Sequence, residues 1–358
     1  MAKLIVNPID RSKLIDTGST LELFTPQFGR INNSGLFDKE GIAARHHMFE
    51  VEPADDLAMT GLGSMTERER WKVTYGQNEQ YALGSVYFGL TDAVQYDDIA
   101  NIITDWKNFD EDKLVDIVAK KQKGLYDVAN VNMEYMALTA AQGVMRNPLD
   151  GGVAVDMFAI TGKSKTVFNL DLTTGDGLLA KLVELQNLLI EKNVAGGNIQ
   201  AVEIIVAENV FAKISQHPEL VAFYEAALYS GGLAYLNNPI LNGKVNEKNR
   251  NTFGLSQSFN VMGFTISTYP QKFTRWDRTK VDAIANGKGL VVVHGIGDLY
   301  QTKFTPAPYL SNLGKTGKEL YGWRTPVVDD THLELYLEFN GVYFMKQPEL
   351  AVEINFTV

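Results

Sequence analysis

DKLVDIVAKKQKGLYDVANVNMEYMALTAAQGVM, residues 112–145, is the stretch that decides the fold. Its apolar side chains recur at spacings of three, four and seven residues, which predicts one long helix with a single face toward a core. These apolar positions are Leu114, Ile117, Val118, Leu125, Val128, Val131, Tyr135 and Leu138. The charged positions between them, which predict a solvated opposite face, are Lys113, Lys120, Lys121, Lys123, Asp127 and Glu134. At 1.5 Å per residue the helix would span about 50 Å, so we expect a strut that joins two parts of the molecule.

The composition is that of an ordinary folded protein. Of its 358 residues, 45% are hydrophobic and 21% are charged, which is enough for a core in two lobes. The net charge of −10 disfavours a protein that gains affinity by neutralising phosphates. The absence of cysteine excludes disulfides, thiol catalysis and cysteine-ligated metals. Neither a signal peptide in residues 1–20 nor a transmembrane run is apparent, so we expect no membrane partner.

The amino-terminal part of the chain predicts an arm and a hairpin. Residues 1–46 mix Asn, Gly, Ser and Thr without a sustained period, which indicates an irregular arm. Large apolar side chains in this arm favour its ordering across a neighbouring molecule over a disordered terminus. Residues 47–90 alternate on either side of a glycine-rich turn at 59–66, which predicts a long two-stranded hairpin that needs another copy for support. Residues 90–99 are interpreted as a link to the helical region.

The rest of the chain alternates strand and helix patterns, which predicts an α+β lobe and closing strands. A second hairpin is predicted from residues 153–158 and 166–172, with its turn near 161–164. Helices are predicted at residues 177–192, with Leu178, Leu182, Leu185, Leu189 and Ile190 on the apolar side, and at 209–228 with a break at His217-Pro218. Strands are predicted at residues 202–206, 259–267 and 289–294. Residues 332–340 and 350–356 alternate strictly, which predicts two half-buried strands of an antiparallel sheet packed on the strut.

No stretch predicts catalytic chemistry. Gly162-Lys163-Ser164 resembles the end of a phosphate-binding loop, but Met157 stands where that loop needs a glycine. Adjacent residues of a strand point to opposite faces, so His46 and His47 do not make a metal site. The isolated histidines His217, His294 and His332, and the acidic pairs at 55–56, 97–98 and 329–330, are interpreted as structural or solvated groups. We therefore expect no catalytic residue, no cofactor and no metal.

One charged run has two open interpretations. Glu67, Arg68, Glu69 and Arg70 lie near the tip of the predicted hairpin. They could form ion pairs with a neighbouring subunit, or they could keep an exposed strand edge soluble and prevent aggregation.

The order of these parts resembles the major capsid proteins of tailed bacteriophages, specifically the lambda E-like family with the Hong Kong 97 (HK-97) fold. The resemblance covers most of the chain after residue 97. Four segments carry it: NMEYMALTA at 132–140, DMFAITG at 156–162 with VFNLDL at 167–172, GDLYQTKFTPAPYL at 297–310 with GKELY at 317–321, and NGVYFMKQPEL at 340–350. The family usually has a basic, aspartate-rich turn before the last strand of the lobe. The segment TRWDRT at 274–279 of this chain matches that turn only in part.

The resemblance implies an α+β, HK-97-like fold with defined parts. These are an N-terminal arm at 1–46, an extended hairpin (E-loop) at 47–90, a peripheral (P) domain at 91–175 with the spine helix 112–145, an axial (A) domain at 176–321, and closing P-domain strands at 322–358. Contacts between subunits are expected at Glu67, Arg68, Glu69, Arg70, Trp71, Phe24 and Phe28.

The implied function is structural rather than enzymatic. The subunit is expected to assemble with itself into hexamers and pentamers of an icosahedral head shell around the double-stranded DNA of a tailed phage. Portal, scaffolding and decoration proteins are the further partners expected, with assembly in the host cytoplasm and a final place in the virion. The alternatives are a nanocompartment shell protein of the encapsulin kind and a two-lobed soluble enzyme.

Overall fold

The computed structural model describes residues 15–16, 29–51, 79–95, 97–98, 111–193, 197–229, 258–269, 271–312, 314–326 and 332–357. Five α-helices of five or more residues lie in these ranges: α1 Glu111–Ala140, α2 Met157–Thr161, α3 Leu178–Lys192, α4 Glu208–Ser215 and α5 Pro218–Tyr229. Strands in the first part are β1 Ile15–Asp16, β2 Asp38–Gly41, β3 His46–Val51, β4 Glu79–Gly84, β5 Val86–Gln95, β6 Val144–Arg146, β7 Val153–Asp156, β8 Thr166–Asp171 and β9 Ala201–Val206. Strands in the second part are β10 Ser258–Val261, β11 Phe264–Thr268, β12 Lys272–Thr274, β13 Lys280–Asp282, β14 Lys288–His294, β15 Tyr300–Phe304, β16 Tyr321–Pro326, β17 His332–Met345 and β18 Val352–Thr357. None of the described helices is both long and apolar enough to cross a membrane.

The predicted strut is confirmed as α1, but its end was predicted too late. The helix stops at Ala140, and Met145 lies in β6 instead. Gly143 donates its N–H to the Ala140 carbonyl at 2.9 Å and adopts φ +81°, a left-handed conformation that ends a helix. At 1.5 Å per residue the 30 residues of α1 span about 45 Å.

The predicted solvated face holds only for the first part of α1. Lys120 is exposed, and Lys121, Lys123 and Asp127 are half-buried. Every residue from 133 to 141 is buried, including Glu134, which is 0% exposed. The prediction that Glu134 faces solvent is therefore wrong, because neighbouring segments surround the end of the helix on all sides.

The first sheet packs on α1 and is built around β17. The strand order is β1-β16-β17-β15-β2, and β5 also pairs with β17, along residues 332–341. Val118 of α1 packs against Val94 and Leu335 of this sheet. Phe339 lies at the centre, stacked between Phe88 and Tyr343 with ring centroids 5.1 and 5.9 Å away. Because β5 continues to Gln95, the prediction that residues 90–99 form a link is wrong over 90–95.

The second sheet carries the lobe. Its order is β10-β11-β9-β14-β18-β8, with parallel pairs β9–β11 and β8–β18. Helix α3 buries Leu178, Leu182, Leu185 and Leu189 as predicted, whereas Ile190 is 61% exposed, against prediction. The predicted break at His217-Pro218 is confirmed, because α4 ends at Ser215 and α5 begins at Pro218.

Three predicted strand arrangements are wrong. The second hairpin does not form: β7 pairs with β6, β8 pairs with β18, and the short helix α2 lies between them. Asp156 caps α2 by accepting the N–H groups of Phe158 and Ala159, which turns the chain away from a hairpin. Residues 258–268 form two strands with a turn at Met262 and Gly263. The closing strands do not share a sheet, because β17 lies in the first and β18 in the second.

The base of the predicted long hairpin is present. Strands β3 and β4 pair antiparallel, with Val51 opposite Glu79 and His46 opposite Gly84. The outer part of the hairpin, residues 52–78, lies outside the described residues.

Candidate interaction surfaces

The residues first considered for chemistry have structural roles where they are described. Gly162 is the left-handed cap of α2, and it is not part of a phosphate-binding loop. His217 Nε2 lies 2.9 Å from the Thr174 carbonyl oxygen. The His47 ring packs on Phe344, and burial lowers the pKa of His47. In the described part of the chain, no group of three or more His, Asp or Glu residues could hold a metal ion.

A tight hairpin carries the most exposed tryptophan of the described residues. Strands β12 and β13 are joined by residues 275–279, and Trp276 in this turn is 77% exposed. Asp277 Oδ1 accepts hydrogen bonds from the Thr279 amide at 2.9 Å and the Thr279 hydroxyl at 2.6 Å. Phe273, at the base, packs edge-on against Tyr135 of α1 with 5.2 Å between ring centroids. The base of the hairpin is therefore packed on the core, and Trp276 lies in solvent on a turn that makes its own internal hydrogen bonds.

A second hairpin turn lies against the first. The turn between β6 and β7 places Gly151 so close to Arg275 that a Cβ on Gly151 would lie 2.4 Å from an Arg275 guanidinium nitrogen. Leu149 and Val153 on either side of Gly151 are 56% and 58% exposed. We call residues 147–153 and 275–279 together the double-hairpin tip. It combines exposed apolar side chains with the guanidinium of Arg275, a composition typical of the centres of protein interfaces.

Another exposed apolar side chain lies in the loop that follows β15 of the first sheet. Tyr309 packs on Trp323 with ring centroids 4.3 Å apart, and its hydroxyl donates to Glu338. Burial, together with this hydrogen bond, raises the pKa of Tyr309. The next residue, Leu310, is 87% exposed. Because Tyr309 anchors the loop, Leu310 is displayed at a defined place on the surface.

The end of α1 is joined to residues 29–33, which we call the arm junction. Glu134 Oε1 accepts hydrogen bonds from the Ile31 amide and the Tyr269 hydroxyl, and Glu134 Oε2 accepts one from the Asn32 amide, each at 2.7 Å. Burial raises the pKa of Glu134, whereas these three donors act to lower it. The carboxyl group of Glu134 is thus held inside the protein by backbone and hydroxyl donors.

Arg30 joins the same junction to the second sheet. Its guanidinium donates to the Thr268 carbonyl at 2.6 Å and the Ser267 hydroxyl at 2.7 Å, and it forms an ion pair with Glu203. Burial by itself raises the pKa of Glu203. The nearby His294 imidazole, the Arg30 charge and the Ser267 hydroxyl outweigh burial and lower this pKa to about 2.

The structure does not test the intersubunit contact residues that were predicted from the sequence. Glu67, Arg68, Glu69, Arg70, Trp71, Phe24 and Phe28 all lie outside the described residues. Sequence reasoning missed Trp276 and Leu310 as surface anchors. A tryptophan in the polar turn RWDR was a usable signal, because a turn of this kind cannot bury it.

The fold is similar to that of solved phage capsid proteins. It is similar to the crystal structure of a protein assigned as the capsid protein of an E. coli CFT073 prophage, with a TM-score of 0.58 and 10% sequence identity over 97% of this chain and 100% of that one. The capsid of Staphylococcus phage Andhra gives a TM-score of 0.48 at 10% identity, covering 94% and 87%. The mature capsid of bacteriophage PhiM1 gives 0.47 at 10% identity, covering 94% and 88%. The expected mixed helix-and-sheet capsid fold is confirmed.

The family is given by the sequence. Residues 18–356 match the family described as phage major capsid protein E, and the chain belongs to that family. No curated protein matches the chain. The protein is accordingly a structural subunit that associates with its own copies to form a capsid shell, and it is part of the virion. The nanocompartment alternative is not favoured.

Proposed function

We propose that the chain is the repeating subunit of an icosahedral head shell, in which hexamers and pentamers enclose the double-stranded DNA of a tailed phage. The observation that carries this proposal is the family match over residues 18–356. Shells of this kind repeat one contact set many times, so each contact can be weak while the assembly is stable. The net charge of −10 supports a container whose wall does not hold packaged phosphates tightly.

The subdomains are proposed as the resemblance implies. Residues 91–175, which include the spine helix α1, and the closing residues 322–358 would form the peripheral domain, and residues 176–321 would form the axial domain near the capsomer centre. The arm and the long hairpin at residues 47–90 would lie across the next subunit. Portal, scaffolding and decoration proteins are the proposed further partners, and assembly is proposed to take place in the host cytoplasm.

The double-hairpin tip is the contact surface that we propose within the described residues. Trp276 has the size and amphipathic character of interface hot spots, whose removal costs about 2 kcal/mol or more. Its exposure on a fixed turn means that it needs no ordering before it binds a neighbour. A second copy of this chain is the proposed occupant, because self-association is the function of the family.

Negative-stain electron microscopy with size-exclusion chromatography tests the proposal. The protein is expressed alone, and then with the scaffolding and portal proteins of its own phage. Closed shells, tubes or capsomer rings are expected. A discrete particle of only a few subunits under every condition would refute the shell function.

Two substitutions at one position test the contact surface. Trp276→Ser should leave the subunit folded and sharply reduce the yield of shells, because the turn keeps its own hydrogen bonds. Trp276→Phe keeps an aromatic ring and should restore most of the yield. Equal shell yields from Trp276→Ser and the wild type would show that this tip is not a contact.

A further inference from the structure

We propose that the arm junction is a latch that sets the orientation of the lobe relative to the spine helix and the first sheet, and so the geometry of the shell. Arg30 and Asn32 act in it as positioning residues. The inference rests on the proposed shell function for its consequence, but the latch itself is argued from contacts within one subunit.

Three separate parts of the fold converge on the five residues of this segment. The backbone amides of Ile31 and Asn32 bind Glu134 of α1. The side chain of Arg30 binds Glu203 of β9 and two groups of β11. In the described residues these contacts tie α1 to the second sheet through a segment that belongs to neither.

The first sheet is the third part. Tyr343 of β17 donates its hydroxyl to Asn32 Oδ1 at 2.9 Å, and both residues are buried. Tyr343 is also stacked on Phe339 in the centre of that sheet. A change in the path of residues 29–33 would therefore reach both sheets and the helix at once.

The segment is specific in shape. Gly29 has φ +124°, and a Cβ there would lie 2.5 Å from the Asn33 side-chain amide, so only glycine enters the junction without strain. Arg30 makes its contacts with a planar guanidinium that binds a carboxylate, a hydroxyl and a carbonyl together, which a lysine could not reproduce. Gly29 and Arg30 therefore favour a single backbone path for residues 29–33.

One feature indicates that the junction is not built for stability alone. Asn32 Nδ2 is buried and finds no hydrogen-bond partner among the described residues. Leaving a buried donor unsatisfied lowers the stability of the closed junction. The latch is therefore strong in its ionic contacts and weakened at a single amide.

Limited trypsin digestion tests the latch directly. The Arg30–Ile31 bond lies inside the junction, so cleavage there requires that the junction open. Glu203→Gln removes the charge that Arg30 faces, and Tyr343→Phe removes only the hydrogen bond to Asn32. Glu184→Gln is the matched control, because Glu184 lies in the same lobe, is exposed and forms an exposed ion pair with Lys181.

We expect the fragment that begins at Ile31 to appear roughly tenfold faster in both latch variants than in the control. The yield of closed shells of wild-type diameter should fall by about the same factor. Cleavage that is no faster would overturn the latch. Faster cleavage with shells of wild-type diameter and yield would overturn the positioning role.

Folding and function are separated in this design. Circular dichroism confirms that the variants fold, and Tyr343→Phe decides the question where Glu203→Gln does not fold. If the wild-type protein forms no shell, the shell function has failed. The cleavage comparison still supports or overturns the latch in that case.

Discussion

Replacing Gly143 by alanine tests how the end of α1 is set. A residue with a side chain pays about 1 kcal/mol or more for the left-handed conformation at φ +81°. The new Cβ would also lie 2.5 and 2.9 Å from two ring atoms of Phe158, which is itself buried. Overpacking of this kind costs about 1–3 kcal/mol, so the free energy of unfolding should fall by roughly 2–5 kcal/mol.

Gly162→Ala is the matched control for this prediction. Gly162 also has a positive φ, +65°, at the end of a helix, but nothing lies within 4 Å of its Cβ position. It should therefore lose only the conformational part, about 1 kcal/mol. Guanidinium denaturation followed by circular dichroism measures both variants, and Phe158→Leu added to Gly143→Ala should recover part of the loss. Equal losses in the two glycine variants would refute the steric reasoning.

Three further predictions concern a charge, the core and the hairpin. Since the Glu203 pKa of about 2 lies below its ordinary value of 4.5, its stabilisation is complete above pH 4.5 and is lost as the pH falls toward 2. Urea denaturation should show a larger loss of stability in this pH range for the wild type than for Glu203→Gln, and parallel curves would contradict it. Phe339→Ala, at a fully buried position between two stacked rings, should cost about 3–5 kcal/mol in the same assay, and a loss below 1 kcal/mol would argue against the packing. Shortening the hairpin between Val51 and Trp71 should give folded subunits that do not assemble, whereas intact shells in electron micrographs would exclude its role across subunits.

Local periodicity predicted the elements of this fold well where one face meets the core. The spacing in α1 located its start to within one residue, and the leucines of α3 identified its buried side. Strands β9, β14 and β17 were predictable because each is a run of apolar or alternating residues. These signals lie within a window of ten to thirty residues, so no tertiary information is needed to detect them.

The features that could not be predicted depend on contacts between residues that lie far apart in the sequence. Glu134 fits the charged face of a helix by spacing, yet it is buried because amides about one hundred residues earlier bind it. The hairpin predicted after α1 failed because β8 pairs with β18 instead, and that pairing leaves no mark in the sequence of β8. The surface role of Trp276 likewise depends on Phe273, which fixes its turn on Tyr135.

The place of β18 in the second sheet has a consequence for biosynthesis. This strand lies between β14 and β8, so residues 352–357 must leave the ribosome before β8 gains its partner in this sheet and before β14 gains its second. Pairings between such distant residues form late in folding. Until residues 352–357 have been synthesised, the nascent chain therefore carries an open edge on β14 and a strand β8 that lacks its partner in this sheet.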